Sequence, residues 1–281
     1  MPSQKQAAPK LGAHMSIAGG VDRALERGAR IGCEAIQMFL KNNLCWRAPA
    51  LSREVIDRFR EGRKTMRVFA HSSYLINLGV PDARSVAALV EEMHRAELLG
   101  VPFIVLHPGS HLGAGEAAGL ESVVRQLEAV FAATRSSPVR IALETTAGQG
   151  TCLGHRFEHL AVIFQSCNHP TRLAICVDTC HLFAAGYDLR TRRGYEAVMR
   201  EMDAVIGHKQ VVAFHVNDSK TPLGSHLDRH EHIGKGFLGL EAFRCLLRDP
   251  RWQGVPMVLE TPKGHDLRAD VENLRLLRSL L

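Results

Sequence analysis

Short apolar segments alternate with longer amphipathic ones along the whole chain. Eight of the short segments are rich in apolar or β-branched residues and have the length of a strand; they cover 10-15, 35-40, 67-71, 103-107, 140-144, 173-178, 211-216 and 256-260. The segments between them have helical spacing, as in the run from Val86 to Leu99 that ends at Gly100. Strands that alternate with helices predict a parallel sheet covered by helices, and eight such units favour a closed (β/α)8 TIM barrel of the α/β class over an open sheet.

The length of the chain favours one domain. It has 281 residues, of which 46% are hydrophobic, and a β/α barrel of about 250 residues needs no second unit. No repeat of fixed length and no interdomain linker interrupts the pattern. We therefore expect a flexible amino-terminal tail at 1-9 and one catalytic barrel domain at 10-281.

Residue types that bind metals close six of the predicted strands in succession, from the third to the eighth. These residues are His71, His107, Glu144, Asp178, His215 and Glu260. The carboxyl ends of barrel strands converge on one face, which is where such barrels carry their active sites. Residues far apart in sequence would therefore meet around one centre.

Three further residues extend this set. His181 lies three positions after Asp178, and Asp228 and His230 are two apart in the loop after the seventh strand. Five histidines and four carboxylates exceed what one tetrahedral ion uses, so they indicate a multinuclear centre. Nitrogen and oxygen ligands without thiolate suit zinc, manganese or iron, and the share of imidazole favours zinc.

Each of these residues also has a structural interpretation. A single histidine at a strand end is more often a hydrogen-bonded core residue, and a buried carboxylate can pair with Arg or Lys instead of a metal. Asp178 could cap a helix, and the polar run 228-232 could be a solvated loop. The coincidence of type and position at six consecutive strands favours the metal centre.

The composition of the chain says less about function than these residues do. The net charge of +6 and the pI of about 9.1 favour a polyanionic partner only weakly. The seven cysteines form no CxxC pair, which is typical of reduced thiols. No apolar stretch reaches the roughly 18 residues of a membrane span, so we expect a cytoplasmic protein without a membrane partner.

Three motifs resemble those of the endonuclease IV family of apurinic/apyrimidinic (AP) endonucleases. They are His71-Ser72-Ser73-Tyr74-Leu75-Ile76-Asn77-Leu78, Asp178-Thr179-Cys180-His181 and His215-Val216-Asn217-Asp218-Ser219-Lys220. The resemblance extends over 10-281 and implies a barrel with three Zn²⁺ ions, for which Mn²⁺ or Fe²⁺ could substitute. It implies that His71 and His107 bind the first ion and that Glu144 bridges it to the second. The second would also take Asp178, His215 and Glu260, and the third would take His181, Asp228 and His230.

The same resemblance implies the reaction. A metal-activated hydroxide would hydrolyse the phosphodiester 5′ to an abasic site, with Glu144 and Glu260 as catalytic residues. The products would be a 3′-OH and a 5′-deoxyribose phosphate, as in base excision repair, and damaged 3′ ends would be trimmed as well. The expected partner is double-stranded DNA with abasic sites or blocked 3′ ends, and the expected state is a monomer.

The resemblance also implies DNA contacts. Tyr74 and Leu75 would penetrate the duplex beside the lesion, while Leu44 stands near a position where the family commonly has an Arg that inserts into DNA. Candidates for contacts with backbone phosphates are Lys41, Arg47, Arg190, Arg192, Arg193, Lys220 and Lys235.

Two rival functions remain open at this stage. A metal-dependent sugar isomerase or epimerase can use a similar barrel, although the additional trio His181, Asp228 and His230 argues against it. A non-catalytic zinc-binding or DNA-lesion-binding protein is the other alternative. Structural zinc sites, however, usually close with four ligands that include Cys.

Overall fold

The computed structural model describes residues 8–264 and 266–281, and its framework is a closed barrel of parallel strands. The strands are β1 (Lys10–His14), β2 (Ala35–Phe39), β3 (Arg67–His71), β4 (Phe103–Leu106), β5 (Arg140–Glu144), β6 (Leu173–Asp178), β7 (Val211–His215), β8 (Asp218–Ser219), β9 (His230–Glu231) and β10 (Pro256–Leu259). Eight of them form the barrel in the order β1-β10-β7-β6-β5-β4-β3-β2. The short strands β8 and β9 pair antiparallel in the loop that follows β7.

All eight predicted strands are present, so the TIM-barrel prediction is confirmed. Five of them end one residue earlier than predicted: β1, β2, β4, β7 and β10. In the last case the final predicted residue, Glu260, turns into the loop and leaves the ladder. In β4 the final predicted residue, His107, likewise follows the last paired residue, Leu106.

Helices cover the outside of the barrel. They are α1 (Val21–Arg30), α2 (Arg53–Gly62), α3 (Ala83–Leu99), α4 (Glu116–Ala133), α5 (Phe157–Ser166), α6 (Thr179–Ala185), α7 (Arg192–Val205), α8 (Leu240–Arg248) and α9 (Arg268–Leu280). α3 shows why they begin and end where they do. The Asp82 carboxylate accepts hydrogen bonds from the backbone N–H groups of Arg84 and Ser85, and Gly100 ends the helix with a positive φ of 69°.

The interior of the barrel is filled by apolar side chains, several of them alanines, below a polar layer. Ala35, Ala142 and Ala213 lie in the apolar interior cluster. Side chains along a strand alternate between the two faces of the sheet, so the residue two positions later also points inward. This periodicity places Gln37, Glu144 and His215 in the layer above the alanines, and all three are fully buried.

The remaining expectations on chain organisation are only partly covered. Of the predicted tail 1-9, residues 1–7 lie outside the described residues, Ala8 is exposed and Pro9 is already buried. All seven cysteines are free thiols. Within the described residues, no helix combines the length and the apolar character that crossing a membrane requires.

Candidate metal centre

The first group of candidate ligands lies at the ends of β3, β4 and β5. His71 Nε2 and His107 Nε2 approach Glu144 Oε2 at 3.2 and 2.8 Å. Atoms of these three side chains lie close enough together to hold one ion. His71 and Glu144 are buried, whereas about a third of the His107 side chain is exposed and opens the group to solvent.

The second group surrounds His215 at the end of β7. Its Nδ1 atom lies 2.7 Å from Glu144 Oε1, 3.1 Å from Glu260 Oε2 and 3.7 Å from Asp178 Oδ2. Atoms of all four side chains fit around one ion. The Glu144 carboxylate therefore faces the first group with one oxygen and the second group with the other, as expected of a bridging ligand.

The third group joins α6 to the loop that carries β9. Asp228 Oδ1 lies 3.2 Å from His181 Nε2 and 3.3 Å from His230 Nε2. Asp178 Oδ2 also approaches His230 Nε2, at 3.6 Å, and Asp178, His181 and His230 fit around one ion. Sequence reasoning placed Asp178 with the second group alone, whereas the structure puts it between the second and the third.

Four of the histidines have their outward nitrogen fixed by an oxygen acceptor. The ring N–H groups of His71, His181 and His230 donate to the backbone carbonyls of Ser72, Thr145 and Glu260, at 2.8, 2.8 and 3.1 Å. The Nε2–H group of His215 donates to Gln37 Oε1 at 2.6 Å. A carbonyl oxygen only accepts, so the proton sits on the outward nitrogen and the lone pair of the other nitrogen faces the carboxylates. Histidines that bind metals are held in this way.

Three carboxylates of the centre, Glu144, Asp178 and Glu260, are largely buried, whereas Asp228 is partly exposed. None of Glu144, Asp178, Asp228 and Glu260 makes a salt bridge with Lys or Arg in the part of the chain that the structure describes. Burial raises the pKa of Glu144, but the imidazoles of His215 and His107 hold it well below its usual value. Burial acts on Asp228 in the same direction, and His181 and His230 lower its pKa. The site therefore stabilises several negative charges at one point, which favours a bound cation.

Of the two structural interpretations for Asp178 and for the run 228-232, the first holds alongside this arrangement and the second does not. Asp178 does cap α6, because its Oδ1 accepts a hydrogen bond from the His181 N–H at 2.9 Å, while its other oxygen accepts one from Asn217 at 2.8 Å. The polar run 228-232 is anchored by pairing between β8 and β9, so it is not a freely solvated loop.

Several residues that contact the centre were missed by sequence reasoning. His14 lies on β1 and Gln37 on β2, two strands for which the sequence predicts no ligand, and Gln37 contacts both His215 and Glu260. Asn217 Oδ1 accepts the Glu260 N–H at 2.7 Å. The alternation of inward-facing residues in β2 could have identified Gln37, since it follows Ala35 by two.

The centre opens into a cavity of about 580 Å³ at the carboxyl ends of the strands. Its walls include His71, His107, His181, Asp228 and Glu260, together with Tyr74 and Arg229. A larger cleft of about 1220 Å³ lies at the opposite end, lined by the starts of β1, β3 and β10, and none of the nine candidate ligands lines it.

Exposed apolar side chains lie on the loop of Tyr74, which lines the cavity, and on the adjoining loop of Leu44. Tyr74 is 59% exposed and Leu44 is 70% exposed, while Leu75 is half-buried. The loops that carry Leu44 and Tyr74 are joined, because the Ser73 hydroxyl donates to the Asn43 carbonyl at 2.7 Å. Tyr74 and Leu44 are therefore free to contact a ligand, whereas Leu75 packs partly beneath its loop.

The cations proposed for phosphate contacts differ in their surroundings, and the expectation for Lys41 needs correction. Lys41 is 3% exposed, and its ammonium lies 3.1 Å from Glu91 and 3.4 Å from Glu92, so it is a buried structural cation. Arg47 is exposed, and Lys220 is exposed with Glu231 at 3.8 Å. Arg190, Arg192, Arg193 and Lys235 are also exposed; Arg190 is paired with Asp188 and Arg192 with Glu196.

Comparisons with known proteins agree with this fold. Residues 25–280 match the family described as xylose isomerase-like TIM barrel, which defines the class of protein. A relative named "Probable endonuclease 4" from Chloroflexus aurantiacus is 48% identical over 280 residues, covering 97% of this chain and 98% of its own. Another of that name, from Geobacter sulfurreducens, is 48% identical over 278 residues and covers 96% and 94% of the two chains.

Solved structures make the assignment more specific. Endonuclease IV from Thermus thermophilus superposes with a TM-score of 0.85 at 37% identity, over 97% of this chain and 98% of that one. A D-tagatose 3-epimerase-like protein superposes with a TM-score of 0.73 over 96% of each chain, but at 18% identity it shares the fold alone. The chain belongs to the endonuclease IV family.

Proposed function

We propose that this protein is a zinc-dependent AP endonuclease that hydrolyses the DNA backbone on the 5′ side of abasic sites. The four outward hydrogen bonds that aim the lone pairs of His71, His181, His215 and His230 at the carboxylates of the centre carry the proposal. Membership of the endonuclease IV family, whose relatives carry that name over the full length of this chain, supports DNA as the substrate.

The donor set fits metal ions. Five imidazoles and four carboxylates converge without a lysine or arginine partner in the described chain, and no thiolate takes part. We assign His71, His107 and Glu144 to one Zn²⁺, and Glu144, Asp178, His215 and Glu260 to a second. His181, Asp228 and His230 would hold a third, with Asp178 beside them; Mn²⁺ or Fe²⁺ could substitute. When bound, such ions supply a nucleophilic water at neutral pH and stabilise charge on phosphate oxygens.

The residues of the chain hold this centre in position during hydrolysis. The water oxygen would form the new bond to phosphorus as the P–O3′ bond breaks. The departing 3′ oxygen takes a proton lost by the attacking water to become a 3′-OH, and the phosphate stays on the 5′ deoxyribose. Glu144, which faces two groups, and Glu260, which lies between His215 and Gln37, are the carboxylates that fix the reacting geometry. Blocked 3′ ends present the same phosphorus and would be trimmed likewise.

Recognition of the lesion would use the exposed residues around the cavity. An abasic nucleotide has lost its stacking, so moving it into a pocket costs less than flipping an intact nucleotide. Tyr74, Leu75 and Leu44 would occupy the space it leaves in the duplex. Arg47, Arg190 and Lys220 would contact backbone phosphates. One chain supplies every candidate ligand, and we therefore propose that the protein acts as a monomer. We also propose that it acts in the cytoplasm.

The test combines elemental analysis with incision of a duplex that contains one tetrahydrofuran abasic analogue. We expect three zinc atoms per chain, cutting on the 5′ side of the analogue, loss of cutting after chelation and recovery on adding Zn²⁺. An undamaged duplex of the same sequence is the control. Metal-loaded protein that leaves the abasic duplex intact but interconverts ketose sugars would refute the proposal in favour of an epimerase. Metal-loaded protein that binds the duplex without cutting would favour a lesion-binding protein.

A further inference from the structure

The Gln37 side chain joins three side chains at the centre of the barrel. It lies in the middle of β2 and is fully buried. Its Oε1 accepts a hydrogen bond from His215 Nε2–H at 2.6 Å, while its Nε2 donates to Glu260 Oε1 at 2.5 Å. The same Nε2 lies 2.9 Å from His14 Nδ1. Both hydrogens and the oxygen of the amide are therefore engaged.

These contacts fix the orientation of the amide. In the reverse orientation the Gln37 oxygen would face the Glu260 carboxylate, and two acceptors would meet without a proton between them. The amide nitrogen would then face His215, whose Nδ1 lies 2.7 Å from the Glu144 carboxylate and is the nitrogen that faces the metal group. The observed orientation satisfies every partner, because His14 Nδ1 accepts the second amide hydrogen.

We infer that Gln37 is a positioning residue that forces His215 to bind its metal through Nδ1 and holds Glu260 beside it. Gln37 Oε1 holds the proton of His215 on Nε2, and the lone pair of His215 Nδ1 is therefore directed at Glu144 and Glu260. Fixing one oxygen of Glu260 leaves the other, at 3.1 Å from His215 Nδ1, facing the same point. One neutral amide thus orients two of the four side chains of the second group.

The choice of an amide has a physical reason. A carboxylate at this position would accept the His215 proton equally well, but it would place a further negative charge against Glu260. An apolar side chain would leave the His215 N–H and one Glu260 oxygen buried without a partner, which is costly. An amide is neutral and has both a donor and an acceptor. Removing such an outer partner of a metal ligand typically weakens metal binding by about 10- to 100-fold.

The experiment compares metal binding in the full-length chain with glutamine and with methionine at position 37. The inference rests on the proposed metal centre, so the readouts are the dissociation constant of the tightly held metal in chelator competition and the visible spectrum of the Co²⁺-substituted protein. We expect Gln37→Met to bind metal about 10- to 100-fold more weakly and to alter the Co²⁺ spectrum. Gln37→Glu, which keeps the acceptor and loses the donor, should fall between it and the wild type.

Gln126→Met is the matched control. Gln126 is also buried and donates to the Leu78 and Val80 carbonyls, but it lies on α4 away from the centre. We expect it to lower stability without changing the affinity for metal or the spectrum. Wild-type affinity and spectrum in Gln37→Met would overturn the inference, as would an equal loss in Gln126→Met. If Gln37→Met does not fold, Gln37→Glu decides by the same criterion.

These readouts separate the inference from the proposed function. A wild-type protein that holds metal but does not cut abasic DNA would refute the proposed reaction and leave the role of Gln37 to be decided by affinity and spectrum. A wild-type protein that holds no metal would refute both.

Discussion

Replacing Lys41 by methionine distinguishes a structural cation from one that binds DNA. The Lys41 ammonium is buried, donates to the Trp46 carbonyl at 2.8 Å and lies 3.4 Å from Glu92, which is itself 1% exposed. Methionine keeps much of the volume but leaves the Glu92 carboxylate without its cation. Removing one partner of a buried pair costs about 3–5 kcal/mol.

The expected shift in Tm follows from the size of the chain. With an unfolding entropy of about 2.1 cal/mol/K per residue and 281 residues, each kcal/mol lowers the Tm by about 1.7 °C. Lys41→Met should therefore melt about 5–8 °C below the wild type in a thermal denaturation assay. Because Trp46 and Glu91 also lose a contact, the loop that carries Leu44 should become more accessible to protease.

The loss should grow with pH. Burial raises the pKa of Glu92 to about 7, with Lys41 opposing the rise. When the pKa of a carboxyl group is higher in the folded than in the unfolded state, the folded state loses stability as pH increases above the unfolded-state pKa. Without Lys41 the pKa of Glu92 rises further, so this loss of stability is larger. For a wild-type pKa of about 7 and a higher pKa without Lys41, the destabilisation by Lys41→Met should be about 1 kcal/mol greater at pH 8 than at pH 6.

Two variants complete the test. Adding Glu92→Gln to Lys41→Met removes the uncompensated charge and should recover more than half of the lost stability. Arg47→Met changes an exposed cation of the same loop. It should leave the Tm unchanged and reduce the slope of log affinity for DNA against log salt by about 0.9. If Lys41→Met instead lowers that slope and keeps the wild-type Tm, Lys41 is a phosphate contact and the reasoning from burial is wrong.

Three further predictions concern the centre and the DNA face. Leu44→Arg places a cation at a site that is 70% exposed. It should tighten binding to an abasic duplex and steepen the slope of log affinity against log salt by about 0.9. An unchanged affinity and slope in a salt titration would contradict a role of this position in DNA contact. Glu260→Gln should lower the nicking rate by about 100- to 1000-fold while most DNA affinity survives, and near-normal turnover would exclude Glu260 as a ligand. In the metal-free protein, burial lowers the pKa of His181, but Asp178 and Asp228 raise it well above 6.5. The protonated histidine therefore stabilises the folded state below about pH 6.5, and this stabilisation is lost as pH rises through the raised pKa. Melting curves from pH 6 to 9 should fall for chelator-treated protein and not for protein reconstituted with Zn²⁺; parallel curves would refute the metal assignment.

Local pattern was enough for the strands and for most of the candidate ligands. A buried strand requires consecutive apolar residues, and the chain geometry alternates their direction, so the residue that ends each strand is fixed in place by its neighbours. The eight strand segments, and the His, Asp and Glu residues that close six of them, are therefore visible in the sequence.

The sequence does not show what contacts what across the barrel. Lys41 looks like any basic loop residue until Glu91 and Glu92, 50 and 51 positions later, are found against its ammonium. Gln37 has no distinctive sequence signal, and only closure of the barrel brings it to Glu260, 223 residues away. Asp178 is shared between two groups because β6 lies between β5 and β7 while β9 folds over its end.

The chain itself thus determined which residues could end a buried strand and which of those could bind a metal, because both depend on side-chain chemistry and on a period of two. The tertiary structure decided which charges are buried, which histidine nitrogen faces the carboxylates and how ligands are shared among groups. Those properties depend on distances between strands that are remote in sequence, and on desolvation once the barrel has closed.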